Sequence, residues 1–235
     1  MSFTTLILLQ LLAHILADYF LQSDRMAISK NALGFKSRFL ALHIAIVFFL
    51  SWALSFQLKF IFAATVIALL HYIIDGCKPF ITKLKYVGVH SFFIDQIAHI
   101  AVLLIVTGLY AKYYGIQYIN EFPVSPYIIG LILAYLCCLK PANIIIREVL
   151  LISKIQVNSS DELPNGGRII GNLERLLVLT FILVNHWEAI GFLIAAKSIL
   201  RYKDTDTLKT EYVLIGTMLS FGIALFLGIV VKFIL

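Results

Sequence analysis

Residues 11–25 read LLAHILADYFLQSDR. The leucines and alanines make an apolar run ready to enter a bilayer, yet His14 and Asp18 sit in it one helical turn apart. Each is costly in hydrocarbon unless it meets a partner. The stretch therefore poses the question of fold and the question of chemistry together.

Composition answers the first. The chain is 61% hydrophobic and 14% charged, with a mean hydropathy of +0.95. A soluble domain of 235 residues has too little interior for that many apolar side chains. The net charge of +6 is carried in short basic runs between apolar stretches. That is the pattern of cytoplasmic loops, so membrane lipid is the expected partner and nucleic acid is not. Cys77, Cys137 and Cys138 form no paired framework and read as buried small hydrophobes. No cationic region or small-residue cleavage site accompanies the first apolar run, which reads as a retained helix.

About twenty apolar residues cross a bilayer. Helices are expected near 3–22, 38–57, 59–77 and 89–112, with a fifth from about 124 to Lys140-Pro141. NIIIREVLLISKIQ, about 142–157, places Asn143, Arg147 and Lys154 on one stripe and reads as an interfacial amphipathic helix or a kinked extension of the fifth span. A cytoplasmic loop is expected over about 158–172, with turn formers in NSSDELPNGG. Residues 173–203 read as two short helices turning at Asn185-His186, with Glu188 solvated near the tip, and a last span covers about 211–234.

Arg25, Lys30, Lys36, Arg38, Lys78, Lys83, Lys85, Lys140, Arg147, Lys154, Arg168 and Arg175 fall in alternate loops, against Lys59, Lys112 and Glu121 in the others. The positive-inside rule puts the first set in the cytoplasm and the N-terminus outside. Tyr110, Tyr113, Tyr114 and Tyr118 would then form an outer aromatic belt. The expected fold is all-α, a polytopic transmembrane bundle of seven to eight spans in the bacterial inner membrane. Residues 1–115 would form a four-helix unit and 116–235 a second unit.

The polar pair at the start has counterparts. His71 precedes Asp75 by four residues on the third helix, Asp95 precedes His99 by four on the fourth, and His43 lies on the second. Residues four apart share a helix face about 6 Å apart along the axis. The His–Asp order reverses where the helix direction reverses. All three aspartates thus lie toward the cytoplasm, with the three histidines one turn deeper.

Imidazole nitrogens with carboxylate oxygens suit zinc, manganese or iron. His14, Asp18, His43, His71, Asp75, Asp95 and His99 are the candidate ligands for one or two divalent ions. Any of Asp18, Asp75 or Asp95 that is not a ligand becomes a candidate general base. Gln22, Lys78 and Gln96 are candidates for substrate binding, Lys78 as the cation for an anionic group. Polar bridging between helices and a proton relay are the competing uses of such residues. Arg168, Glu174 and Arg175, and Lys197 with Arg201, read as headgroup contacts or topology determinants, and His90 as interfacial. No HExxH, nucleophile elbow or phosphate-loop spacing is present.

His14-x3-Asp18-Tyr19-x-Leu21-Gln22, His43, His71-x3-Asp75-x2-Lys78 and Asp95-Gln96-x2-His99 resemble an uncharacterised bacterial integral-membrane family, domain of unknown function 3307. GRIIGNLER, AAKSILR and EYVLIGTMLS are similar to the second half of its longer members. The resemblance implies that the motifs act as one set, and implies no mechanism. A looser similarity is to bacterial membrane-bound metal-dependent hydrolases. The expected function is metal-dependent hydrolysis at the cytoplasmic side, on a phosphoester or related bond of a lipid or amphiphile, with homo-oligomerisation open. The alternative is a proton- or divalent-cation-coupled transporter using the same residues.

Overall fold

The computed structural model describes residues 1–116, 125–154, 166–201 and 207–234. Tyr118, Glu121, the loop expected over 158–165, Lys203 and the side chain of Arg201 lie outside the described residues. The described residues are helical and contain no strand. Two compact units run from Met1 to Ile129 and from Gly130 to Leu235.

The first unit is built on α1 (Phe3–Ile15), α2 (Asp24–Leu33), α3 (Arg38–Ser55), α4 (Ile61–Ile81) and α5 (Ser91–Tyr114). α1 packs on α3 and α5, α3 on α4, and α4 on α5, which closes a ring of four. Its core is apolar at one level, with Leu6, Phe60 and Ala64 fully buried among Val47, Ile67 and Tyr110. The helix starts are chemically marked. Ser2 accepts from the Thr5 amide at the head of α1, and Ser23 from the Met26 amide at the head of α2.

Two local features depart from the sequence reading. The first span does not remain α-helical: residues Leu16–Phe20 form a π turn, with the Leu21 amide bonded to the Leu16 carbonyl at 2.8 Å. A π turn adds a residue to the helical turn and re-aims the side chains within it. The loop expected over 23–38 contains α2, which packs on α4 and α3.

α2 stops at Gly34, whose φ is +52°, a region that glycine enters without steric cost. A Cβ there would lie 2.5 Å from the Gly76 carbonyl oxygen. Phe35 then lays its ring where a Gly76 side chain would stand, 2.1 Å from the ideal Cβ position. The two glycines clamp the end of α2 onto α4 beside Asp75.

Tyr110 is not part of an outer belt. It is buried in the bundle, and its hydroxyl donates to Gln57 Oε1 at 2.9 Å, whereas Tyr113 and Tyr114 are exposed. Its place is set by the tight turn after α3, where Phe56 adopts φ +52° and Gln57 turns inward.

The second unit contains α7 (Lys140–Ile152), α8 (Gly166–Leu183), α9 (Trp187–Arg201) and α10 (Thr207–Phe233), with α6 (Pro126–Cys138) leading into it. α6 and α7 meet at a 47° bend at Leu139. Pro141 therefore opens a helix, where its missing N–H costs nothing, and does not close one. α10 packs on α8 and α7. Residues 166–172, expected in a loop, form the first turns of α8. α8 gives way to α9 through Asn185, at φ +65°, next to His186, and Glu188 is exposed there. Lys232 of α10 caps that turn by donating to the Ile182 carbonyl oxygen and to Asn185 Oδ1.

Arg175 is not a loop cation. It is buried and donates Nε to the Cys138 carbonyl at 2.6 Å, Nη1 to Ser220 at 2.8 Å, and Nη2 to Asn143 and Asn172 at 2.6 and 2.7 Å. The Cys138 carbonyl is one of those that the α6–α7 break leaves without a helical partner. Lys197 pairs with Glu174 at 2.5 Å, and Arg147 with Glu148 at 3.1 Å.

Among the described residues, five helical segments are long and apolar enough to cross a membrane: Phe3–Phe20, Arg38–Ser55, Leu58–Ile81, Gly88–Tyr114 and Glu211–Phe233. A sixth is added if the bent α6–α7 pair counts as one.

Gly34→Ala is expected to lower stability by about 1–3 kcal/mol through backbone strain and overpacking. Gly108→Ala, in α5 with nothing within 4 Å of its ideal Cβ, is expected to be neutral or stabilising. Thermal unfolding of the two variants in detergent measures the contrast.

Candidate metal centre

The four ring helices bring all seven predicted ligands into one buried stratum. α1 and its π turn supply His14 and Asp18, α3 supplies His43, α4 supplies His71 and Asp75, and α5 supplies Asp95 and His99. His43, His71, Asp75, Asp95 and His99 are each at most 4% exposed. His43 has no acid four residues away, yet it lies at the middle of the cluster.

Two triangles of donor atoms share the His43–His71 edge, where the Nε2 atoms are 3.1 Å apart. Asp18 Oδ1 lies 3.4 Å from His43 Nε2 and 3.5 Å from His71 Nε2. On the other triangle, Asp75 Oδ2 lies 3.6 Å from His43 Nε2 and 3.4 Å from His71 Nε2. His14 Nδ1 approaches Asp18 Oδ1 at 3.6 Å, and His99 Nε2 approaches Asp75 Oδ1 at 3.4 Å. Three ligand-type trios result: His14–Asp18–His71, His43–His71–Asp75 and Asp75–Asp95–His99.

These spacings fit a metal. Nitrogen–oxygen separations of 3.4–3.6 Å exceed good hydrogen-bond lengths. A tetrahedral ion with ligands at about 2.0–2.1 Å holds its donors about 3.3–3.4 Å apart. Several polar atoms of these side chains also lack a hydrogen-bond partner. Asp18 Oδ1, Asp95 Oδ1, His14 Nε2, His43 Nδ1 and both nitrogens of His99 are buried without a hydrogen-bond partner. Unsatisfied buried polar atoms are rare, and a cluster of them calls for an ion or water.

Lys30 is the residue the sequence reading misplaced. Expected as a cytoplasmic loop cation, it is 3% exposed, and its Nζ sits 2.7 Å from Asp75 Oδ2. A signal was available in SDRMAISKNALG: Ser23 as a helix cap, Gly34 as a stop, and Met26 with Lys30 on one face. Lys78 is likewise engaged, 3.0 Å from Asp95 Oδ2. Gln96 Nε2 donates to the same oxygen at 3.1 Å, and Gln96 Oε1 accepts from the Tyr19 hydroxyl at 2.8 Å. In this arrangement Lys78 and Gln96 orient Asp95. Gln22, half-buried, lies just beyond the π turn.

Beyond the histidines lies a cavity of about 20 Å³, lined by His14, His71, His99, Gln10 and Ser51 among apolar neighbours. It is large enough for about one water. Gln10 and Ser51 are buried and bonded to each other, Ser51 Oγ donating to Gln10 Oε1 at 2.5 Å.

The fold and site define a class: an all-helical protein with several span-length apolar helices and a buried histidine–aspartate cluster inside its first bundle. Residues 6–122, which contain the whole cluster, match the family described as "Protein of unknown function (DUF3307)". No curated protein and no solved structure matches the chain.

Asp75→Asn is expected to destabilise the protein by about 3–5 kcal/mol, because it strands the Lys30 ammonium in the interior. The double variant Asp75→Asn/Lys30→Met is expected to recover most of that loss. Denaturant unfolding of the three proteins checks this, and additive losses would show that the pair is not coupled.

Proposed function

We propose that the chain is a multi-pass protein of the bacterial inner membrane, with its N-terminus outside and seven to eight crossings once the α8–α9 pair is included. Its first unit is proposed to be a metal-dependent hydrolase that opens to the cytoplasm. The single observation carrying the reading is the convergence of seven imidazole and carboxylate side chains from four helices, with three trios whose donor atoms lie within 4.8 Å of one another. The exposed cations support the orientation. Arg25, Lys36, Arg38, Lys83 and Lys85 flank the cluster end of the helices, against Lys59 and Lys112 at the other.

Zinc is the ion that the donor set and spacing favour, with manganese or iron as alternatives. A divalent ion held by a trio such as His43, His71 and Asp75 would keep a position open for water, acidify that water and polarise the scissile group. The rest falls to the chain. Asp95 keeps one carboxylate oxygen on Lys78 and Gln96, leaving Oδ1 unbonded to accept a proton. His14 and His99 face the same space from the deeper layer. The depth of the site and the basic rim suit a phosphoester or related bond of a lipid or amphiphile.

One observation favours a transporter as the second reading. Buried polar side chains continue past the histidines through Gln10 and Ser51 to Ser55, Gln57 and Thr107. Val47, Leu103 and Ile67 line the same small cavity as Gln10 and Ser51, so the polar side chains there are flanked by apolar ones.

Elemental analysis of the purified full-length protein is expected to find stoichiometric zinc, manganese or iron, lost in His43→Ala/His71→Ala. That variant leaves the Lys30–Asp75 pair intact. Hydrolysis of a phospholipid and lysophospholipid panel in detergent is expected to require the metal. Proton- or cation-coupled flux in proteoliposomes without hydrolysis would overturn the enzyme in favour of the transporter.

A further inference from the structure

The number of ions and the class of ligand follow from counting charges at the centre, an inference that rests on the metal reading above. Three carboxylates, Asp18, Asp75 and Asp95, are buried there. Two ammonium groups are paired with them, the buried Lys30 on Asp75 at 2.7 Å and the half-buried Lys78 on Asp95 at 3.0 Å. Imidazoles ligate in the neutral form, so the cluster carries a net charge of minus one.

Geometry alone admits two ions. Asp75 turns Oδ2 toward His43 and His71 and Oδ1 toward His99, the disposition of a bridging carboxylate. Charge decides against it. One divalent cation takes the cluster to plus one, and two take it to plus three, inside a bundle with little water to screen the excess. Uncompensated buried charge is among the most expensive things a fold can hold.

A centre at plus one is completed by a single negative charge. We infer that this site binds one divalent cation and then one monoanionic group, with a phosphoester oxygen as the matching class, and that Lys30 sets the anion affinity through its charge without being a ligand.

Lys30 is well placed for this. It reaches the centre from α2, outside the ring of four, so its substitution leaves the ligand helices intact. Its partner oxygen, Asp75 Oδ2, is one of the ligand-edge atoms. Removing the ammonium makes the metal-free cluster more negative. Cation binding is then retained or strengthened, while the loaded centre becomes neutral and loses its need for an anion. A purely structural lysine would lower both affinities together.

The test is calorimetric titration of the full-length protein in a non-ionic detergent, first with zinc, then with inorganic phosphate. In parallel arms, phosphatidic acid or phosphatidylcholine is added in mixed micelles. Wild type is expected to take one zinc per chain and to bind phosphate or phosphatidic acid only after zinc. Binding of phosphatidic acid alone assigns the anion to a lipid headgroup, and binding of phosphate alone to a soluble ester; either supports the inference. Lys30→Met is expected to bind zinc at least as tightly and to lose anion affinity by about tenfold or more. Lys30→Arg is expected to keep both.

Two zinc ions per chain, anion binding unchanged in Lys30→Met, or parallel loss of zinc and anion in that variant would each overturn the inference. One zinc with no anion binding removes this inference and leaves the metal reading standing. No zinc, manganese or iron removes both.

Discussion

A carboxylate fixed inside an apolar bundle must be compensated, and Asp75 shows how this protein does it. At 1% exposure, the side chain faces His43, His71 and His99 with its two oxygens and takes the Lys30 ammonium on one of them. Nearly every unusual feature of the first unit serves that group or its neighbours. Gly76 has no side chain so that Phe35 can lie against α4, and Gly34 adopts a conformation that lets the chain turn there. The clamp keeps α2 close enough for Lys30 to reach inward. Without the pairing, the carboxylate would stand in the interior with one positive charge fewer beside it.

The second requirement is direction. Donors on four separate helices must point to one place, and regular helices achieve that only partly. The i,i+4 pairs put each histidine and its aspartate on one face. On α1, however, the aspartate falls within a π turn, which swings Asp18 Oδ1 to within 3.5 Å of both His43 and His71. π turns cost hydrogen-bond quality and are retained mostly where a side chain has a task.

Much of this was readable beforehand. The three His–Asp couples, their reversal on α5 and the membership of His43 all came from spacing and helix direction, and Asn185-His186 announced a break between helices. What escaped came from tertiary structure overriding composition. Lys30 and Arg175 read as cytoplasmic loop cations because basic residues between apolar runs usually are. One proves to be a counter-ion and the other a staple for the α6–α7 bend. Tyr110 belongs to a core because Gln57 offers its hydroxyl an acceptor. Residues 166–172 carry glycines that suggest a loop, yet continue α8. The π turn left no trace in the residue pattern.

The whole reading turns on a divalent ion bridging imidazole and carboxylate donors drawn from four helices. X-ray absorption at the metal edge of the purified protein reports that shell without reference to any substrate. The expected result is a low-coordinate nitrogen–oxygen shell at about 2.0–2.1 Å with the outer scattering of two or more imidazoles. A shell of six waters, a sulfur shell, or a spectrum unchanged when His43 and His71 are both replaced would contradict the account.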